Sequence, residues 1–302
     1  MNPNVVTGEA AMAWRSMLFI PANNEKFIAR AHERGADACV LDLEDAVPPT
    51  QKAAARATVR AAAARIAAGG VDVLVRINAE APDAALDVAA SCARAVRAIV
   101  LPKAGSAADV RRVAGWLDAG EQAHGVAAGS TRIVALIEDV HAIARLDEIA
   151  ASSPRLIGMA LGPEDFSASA GAMPTQEALL VPSQMVLFAC RRAGLLPFGF
   201  PGSIGEFSDL GLLERQVALA RALGFVGALC IHPAQVPVLN NGFSPGDAEI
   251  AHARGVIAAC EAALAEGRGA AEYRGKMVDP PVAARARELL ARAARTTSKE
   301  MK

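Results

Sequence analysis

Residues 36–45 read ADACVLDLED, an apolar run that ends in three carboxylates at Asp42, Glu44 and Asp45. A short run of small and aliphatic residues without strict alternation is the pattern of a strand buried on both faces, as parallel sheets require. Negative charge collected where such a strand emerges calls for a cation or a cationic partner beside it.

Working outward, comparable runs occur at SMLFIP (16–21), VLVRIN (73–78), AIVLPK (98–103), IVALIE (133–138), LIGMALG (156–162), LLPFGF (195–200) and GALCIHP (227–233). With ACVLDLE (38–44) they make eight candidate strands. The stretches between them, such as NEKFIARAHERG and LLERQVALARALG, have helical spacing and enough length to cross back over a sheet. Eight β/α units fit a (β/α)8 TIM barrel, taken as residues 1–240. A doubly wound open sheet is the competing topology, but no glycine-rich turn forms the strand, G-x-G-x-x-G, helix arrangement of a dinucleotide fold. Residues 241–302 exceed a barrel and read as a C-terminal helical extension. Within it GRGAAEYRGKMVDPP, bounded by Gly and Pro, suits a hinged lid or swapped arm better than a packed element.

The formal net charge of −1, from 31 basic and 32 acidic side chains, gives no electrostatic footprint for nucleic acid or an anionic membrane. No stretch approaches the roughly 18 apolar residues of a membrane span. The start, MNPNVVTGEAAMAWR, lacks a basic segment followed by an apolar core, so cytoplasmic residence is expected. Five widely spaced cysteines fit neither a disulfide framework nor a zinc pattern and read as inert core thiols.

Barrel enzymes carry their sites at the C-terminal ends of the strands. Those ends hold Asp42, Glu44 and Asp45, then Arg76 and Asn78, Lys103, Glu138, Glu164 and Asp165, and His232. Glu138 and Asp165 close successive strands, and neighbouring strands lie about 4.8 Å apart, so both acids can share one hard cation, Mg²⁺ with Mn²⁺ as a substitute. The same acids would also suit helix N-termini as caps, and both readings stay open. Arg76 can clamp a carboxylate with its planar fork or pair structurally with Asp42 or Glu44. Lys103 is either a rim ligand or solvated, and His232 carries no assigned role.

The ordered set RSMLFIPANN (15–24), DACVLDLEDAVPPTQKAAAR (37–56), VRIN (75–78), LPK (101–103), ALIED (135–139), GPEDF (162–166), CIHPAQV (230–236) and GKMVDPP (275–281) resembles the HpcH/HpaI aldolase and citrate lyase β-subunit superfamily, in its citrate-lyase-β-like branch of acyl-CoA lyases. The resemblance covers nearly the whole chain and implies a TIM barrel with Mg²⁺ held by Glu138 and Asp165. It implies that Arg76 binds the keto-acid part of the substrate and that Glu44 and Asp45 line the metal's outer shell. Arg15, Lys52 and Arg56 match positions that meet coenzyme A phosphates, with Lys103 beside them, and Asp279 matches a lid acid delivered by a neighbouring subunit as general acid/base. Homo-oligomers, trimers above all, are implied. The expected reaction is carbon–carbon cleavage of a 3-hydroxyacyl-CoA, such as citryl-, malyl- or citramalyl-CoA, to a 2-keto acid and acetyl-CoA or a related thioester. The alternatives are a metal-dependent aldolase acting on free hydroxy-keto acids and a subunit of a citrate lyase complex. One departure is the stretch GFPGSIGEFSDLG after strand seven: many relatives place an acid near that strand's end, whereas this chain has Gly199, Gly202 and Ser203 before Glu206.

Overall fold

The strands form where the apolar runs lie: β1 (Ser16–Pro21), β2 (Ala38–Asp42), β3 (Asp72–Arg76), β4 (Val96–Leu101), β5 (Arg132–Ile137), β6 (Leu156–Leu161), β7 (Leu196–Phe198) and β8 (Ala228–Cys230). The computed structural model describes residues 14–300, with side chains to 294, so the reading of the first 13 residues as non-secretory lies outside the described residues. The strands pair in parallel in the order β7-β6-β5-β4-β3-β2-β1-β8. A bridge between Phe198 and Gly227, with Gly199 N donating to Gly227 O at 2.8 Å, brings the two outer strands together. The result is a nearly closed (β/α)8 barrel, and the open doubly wound sheet is excluded. Closure depends on a missing side chain, because a Cβ on Gly227 would fall 1.8 Å from the Trp14 carbonyl oxygen.

Around the barrel run α1 (Glu25–Ala29), α2 (Lys52–Ala68), α3 (Asp83–Ser91), α4 (Ala107–His124), α5 (Val140–Ile143), α6 (Leu146–Ala150), α7 (Pro163–Ala170), α8 (Gln176–Ala193), α9 (Leu210–Leu223) and α10 (Gln235–Phe243). All five residues of β2 are buried, as expected of a strand covered on both faces. Leu41, Val75, Ile99, Ile133 and Met159 share one core with the inner faces of the helices. The five cysteines are buried, and burial pushes the thiols of Cys39 and Cys190 up to about 12 and that of Cys92 up to about 11, which keeps them unreactive.

This first unit runs from Trp14 to Phe243, and a second starts at Ser244. In the second, α11 (Asp247–Ala265) and α12 (Pro280–Glu300) flank a hairpin of β9 (Ala271–Tyr273) and β10 (Lys276–Val278). Arg274 and Gly275 take φ of 52° and 74°, the two positive values of a tight hairpin turn. Ala271 and Val278 join Val256, Cys260, Ala263 and Ala283 in a small core. The expectation that GRGAAEYRGKMVDPP is not a packed element is therefore corrected: the R-G pair reads as a linker in one dimension but closes a packed hairpin.

At the barrel end where strands begin, Arg155 donates to Glu121 at 3.0 and 2.6 Å and to the Thr131 carbonyl at 2.8 Å. Glu121 also accepts the N–H groups of Gly129 and Thr131, both at 2.8 Å. Burial alone would raise this carboxyl; Arg155 and the two amides outweigh it and hold it down at about 2, against an ordinary 4.5. A depressed carboxylate contributes stability above its unfolded pKa and loses it as pH falls through the folded one. Glu121→Gln should cost about 1–3 kcal/mol at neutral pH, because it removes the buried partner of Arg155 and leaves only the exposed Asp118, 2.5 Å from Nη2. Denaturant unfolding of both chains between pH 7 and 2 checks this: the wild-type advantage should hold at neutral pH and shrink from about pH 4.5 downward.

Candidate active site

Asp42 and Arg76 are register partners at the ends of β2 and β3. Arg76 Nε and Nη2 donate to the two oxygens of Asp42 at 2.7 and 2.6 Å, a bidentate pair. Arg76 Nη1 lies 3.1 Å from Glu44 and 3.2 Å from Asp45, and its guanidinium sits 4.8 Å from the Phe19 ring centroid. Asp42 also accepts the N–H groups of Glu44 and Ala46, which curls the chain so that all three acids face one arginine. The ion pair left open in the sequence is thus formed, and Arg76 still lines the cavity at this end of the barrel. Burial lowers its proton affinity, but Asp42, Glu44 and Asp45 outweigh burial and raise it, so the guanidinium stays charged.

Glu138 follows β5 directly and is 6% exposed. The N–H of Lys103 donates to its Oε2 at 2.7 Å. Lys103 adopts φ of 50°, a left-handed conformation costly for a non-glycine residue, and this aims its amide at the carboxylate. Gly162 makes the room: a Cβ there would fall 2.4 Å from Glu138 Cγ. Burial pushes Glu138 up to about 7, the Lys103 amide works against it, and the charges of Glu44 and Asp165 add to it. Glu44 is likewise pushed to about 7, first by burial, with Arg76 opposing and Asp45 assisting.

Asp165 lies in the first turn of α7 rather than on β6, and it lines the same cavity. Capping does not account for Glu138, since α5 is capped by Asp139, whose carboxylate accepts His141 N–H at 2.7 Å. A cavity of about 450 Å³ is lined by Asp42, Asp45, Arg76, Glu138, Glu164 and Asp165 together with an apolar set. Among the described residues no third His, Cys, Asp or Glu joins Glu138 and Asp165 to make a larger metal cluster. One or two carboxylates, with water and substrate filling the other positions, is the usual protein share of an Mg²⁺ site, and a carboxylate whose pKa is raised by burial, and further by acidic neighbours, is a group that a hard cation would relieve. The donor set fits Mg²⁺.

The sequence-derived basic set divides. Arg15 is a correction: it precedes β1, at the opposite end of the barrel, where it is buried and bound to Asp37 through N, Nε and Nη2 at 2.8, 2.9 and 3.0 Å. Its place in RSMLFIP looked like a rim position, but the chain still has to run the length of β1 to reach the rim. Arg56 faces α3, with Nε 2.5 Å from Asp87 and Nη2 on Asp83, so its fork is occupied. Lys52, the first residue of α2, donates to Asn78 Oδ1. Lys103 Nζ is half-exposed and 3.5 Å from Glu44, whose charge and that of Asp165 outweigh burial and raise its pKa. His232 stacks on Phe207 at 4.7 Å and accepts Ala234 N–H, a structural role. In the second unit, Asp279 accepts Val282 N–H at 3.2 Å at the start of α12. Sequence reading named Asp42 only as one of two possible partners of Arg76, and it passed over Gly162 as the space for Glu138 and Gln235, which is fully buried. For Asp42 the signal was present in the acid triplet itself.

The model of the family described as HpcH/HpaI aldolase/citrate lyase matches residues 15–233. The chain belongs to the HpcH/HpaI aldolase/citrate lyase family. It is 37% identical over 282 residues to the citrate lyase subunit beta of Escherichia coli K12, covering 92% of this chain and 93% of that one. It is 36% identical over 288 residues to the L-malyl-CoA/beta-methylmalyl-CoA lyase of Rhodobacter capsulatus, covering 88% and 90%. The crystal structure of CitE from Mycobacterium tuberculosis in complex with magnesium, acetoacetate and coenzyme A superposes with a TM-score of 0.74 at 31% identity, over 94% of this chain and 99% of that one.

Because Glu138 must lose its proton to bind a cation, Mg²⁺ affinity measured by calorimetry should be flat above about pH 7 and weaken as pH falls below it, up to about tenfold per unit for one displaced proton. Glu138→Gln should remove the binding. Gly162→Ala, by pushing the carboxylate aside, should weaken it at least about tenfold while the far-ultraviolet dichroism stays that of a folded barrel.

Proposed function

We propose that this chain is an Mg²⁺-dependent carbon–carbon lyase that cleaves, or in reverse forms, a 3-hydroxyacyl-CoA thioester carrying a carboxylate on its carbinol carbon. The observation that carries the reading is the pairing, in one cavity of a family member, of a buried carboxylate pushed to about 7 beside Asp165 with an arginine held by three further acids. Mg²⁺, when held by Glu138 and Asp165, supplies Lewis acidity toward the substrate's hydroxyl or keto oxygen. Arg76, which lines the cavity, is proposed to bind the substrate carboxylate, and Asp42, Glu44 and Asp45 fix the plane of its guanidinium.

On cleavage the hydroxyl proton leaves, the bond to the thioester α-carbon breaks, and its electron pair becomes the enolate of the departing thioester. A proton returned to that carbon gives the acyl-CoA and leaves the 2-keto acid. Asp279 is proposed as the acid that returns it, working from a neighbouring chain in a homotrimer, and the enzyme is proposed to operate in the cytoplasm. Lys52, Arg56 and Lys103 are proposed contacts of the coenzyme A phosphates; for Arg56 this requires an N–H left over from Asp83 and Asp87. Similarity to an L-malyl-CoA/beta-methylmalyl-CoA lyase and to a CitE structure holding coenzyme A supports a thioester substrate over free hydroxy-keto acids.

A panel of coenzyme A thioesters assayed for 2-keto acid release should give activity only with Mg²⁺ or Mn²⁺ present, and cleavage of the free acids at an equal rate would favour the aldolase alternative. Arg76→Lys should lose at least tenfold in kcat/KM, about 1.4 kcal/mol, because an ammonium cannot reproduce a planar fork already bound on one side to Asp42. For Asp279, mixing inactive Asp279→Asn and Glu138→Ala chains under subunit exchange should restore part of the activity, and verified exchange without recovery removes the trans assignment.

A further inference from the structure

The cavity has two unlike arcs. Every charged side chain that lines it comes from β2, β3 and the segments after β5 and β6: Asp42, Asp45, Arg76, Glu138, Glu164 and Asp165. The remaining arc, from β7 through β8 to β1, contributes Phe200, Ile204, Leu229, Ile231 and Phe19, and among the described residues no polar side chain of that arc lines the cavity. The glutamate nearest the end of β7 in sequence, Glu206, faces outward instead, accepting Ser208 N–H at 2.9 Å and the Ser208 hydroxyl.

The apolar arc is fixed from behind by one amide. Gln235 is fully buried; its Oε1 accepts the N–H groups of Ile231 and His232, both at 3.0 Å, and its Nε2 donates to the Ile204 carbonyl at 3.1 Å. One side chain therefore ties the loop after β7 to the loop after β8 and sets the two isoleucines at the cavity wall. Stacking of Phe207 on His232 joins the same two loops a second time.

Resting on the function proposed above, we infer that the substrate's carbinol carbon bears a methyl or other short alkyl group where a citryl thioester bears a carboxymethyl group, and that Ile204 and Ile231, positioned by Gln235, select it. The carbinol carbon has four substituents. Its hydroxyl and carboxylate are taken by the metal-binding acids and Arg76, and its thioester arm leads out of the cavity. The fourth substituent must face the apolar arc. A second carboxylate there would lose its water and meet no donor, and Arg76, the one cation among the described lining residues, already faces three acids. An alkyl group in the same place is simply removed from water. A site that leaves a buried charge unpaired discriminates far more strongly than one that misfits a methylene.

The test compares two thioesters that differ only at this substituent, 3-hydroxy-3-carboxybutanoyl-CoA and citryl-CoA, with Mg²⁺, reading pyruvate and oxaloacetate release. The methyl compound should have a kcat/KM at least about tenfold above the carboxymethyl one, the effect of 1.4 kcal/mol; a ratio below that overturns the inference while leaving a thioester lyase in place. If neither thioester is cleaved the inference is overturned, and the function it rests on is overturned with it when malyl-CoA, which carries only hydrogen there, is not cleaved either. Ile231→Arg, at a position 41% exposed and so tolerant of a charged side chain, should lower the ratio at least about tenfold by giving the second carboxylate a partner. Gln235→Glu keeps the acceptor for Ile231 and His232 but loses the donor to Ile204, so it should also lower the ratio. A purely structural role for Gln235 would instead reduce kcat/KM for both substrates equally, and an unchanged ratio in both variants overturns the assignment of the wall.

Discussion

Arg76 carries the positive charge that lets the acidic rim exist. Asp42 is 1% exposed and Glu44 5% exposed, and two carboxylates this deep would repel each other without a cation between them. Arg76 answers both and Asp45 as well, while Phe19 covers the face of its guanidinium. The pairing is placed by register alone: β2 and β3 run parallel with Asp42 opposite Arg76, so the two side chains meet where their strands end. A buried ion pair of this kind is poor evidence of net stability. Its value is orientation: Asp42 holds Nε and Nη2 while Glu44 and Asp45 face Nη1, so all three nitrogens of the guanidinium are fixed in one plane.

Glu138 shows the complementary device, a carboxylate tuned by what surrounds it. Its depth, the Lys103 amide turned toward it by a left-handed backbone, and the empty Cβ position of Gly162 together hold one rotamer in a cramped space. Burial in the same cramped space pushes the carboxyl up to about 7. Asp165, on the first turn of the next helix, reaches the cavity from a separate element, so the relative placement of the two acids depends on the β5–β6 register and on the turn through Gly162 and Pro163.

The reading of individual residues succeeded where a strand end dictated position and failed where a side chain's direction mattered. Arg76, Glu138 and the acids of LDLED stand one or two residues from the end of a buried run, and a parallel barrel leaves such residues little choice of location. Arg15 stands at the start of a run instead of its end, which puts it a full strand length away, bound to Asp37. Arg56 lies one turn into a helix, and only the packing of α2 on α3 decides that it meets Asp83 and Asp87. Gln235 gave no signal: a glutamine in CIHPAQV becomes a tie between two loops only when the end of β7 stands beside the end of β8.

The sequence by itself determined the eight buried runs, their alternation with helices, and hence a parallel barrel with its acids at one rim, because hydrophobic periodicity and strand ends are local properties of the chain. Ring closure at Phe198 and Gly227, the Asp42–Arg76 register, the direction of Arg56 and the division of the cavity into a charged and an apolar arc were decided only in three dimensions. Each of these depends on which side chains from distant segments arrive at the same place, and so on inter-strand register and helix packing, which no single segment of the chain encodes.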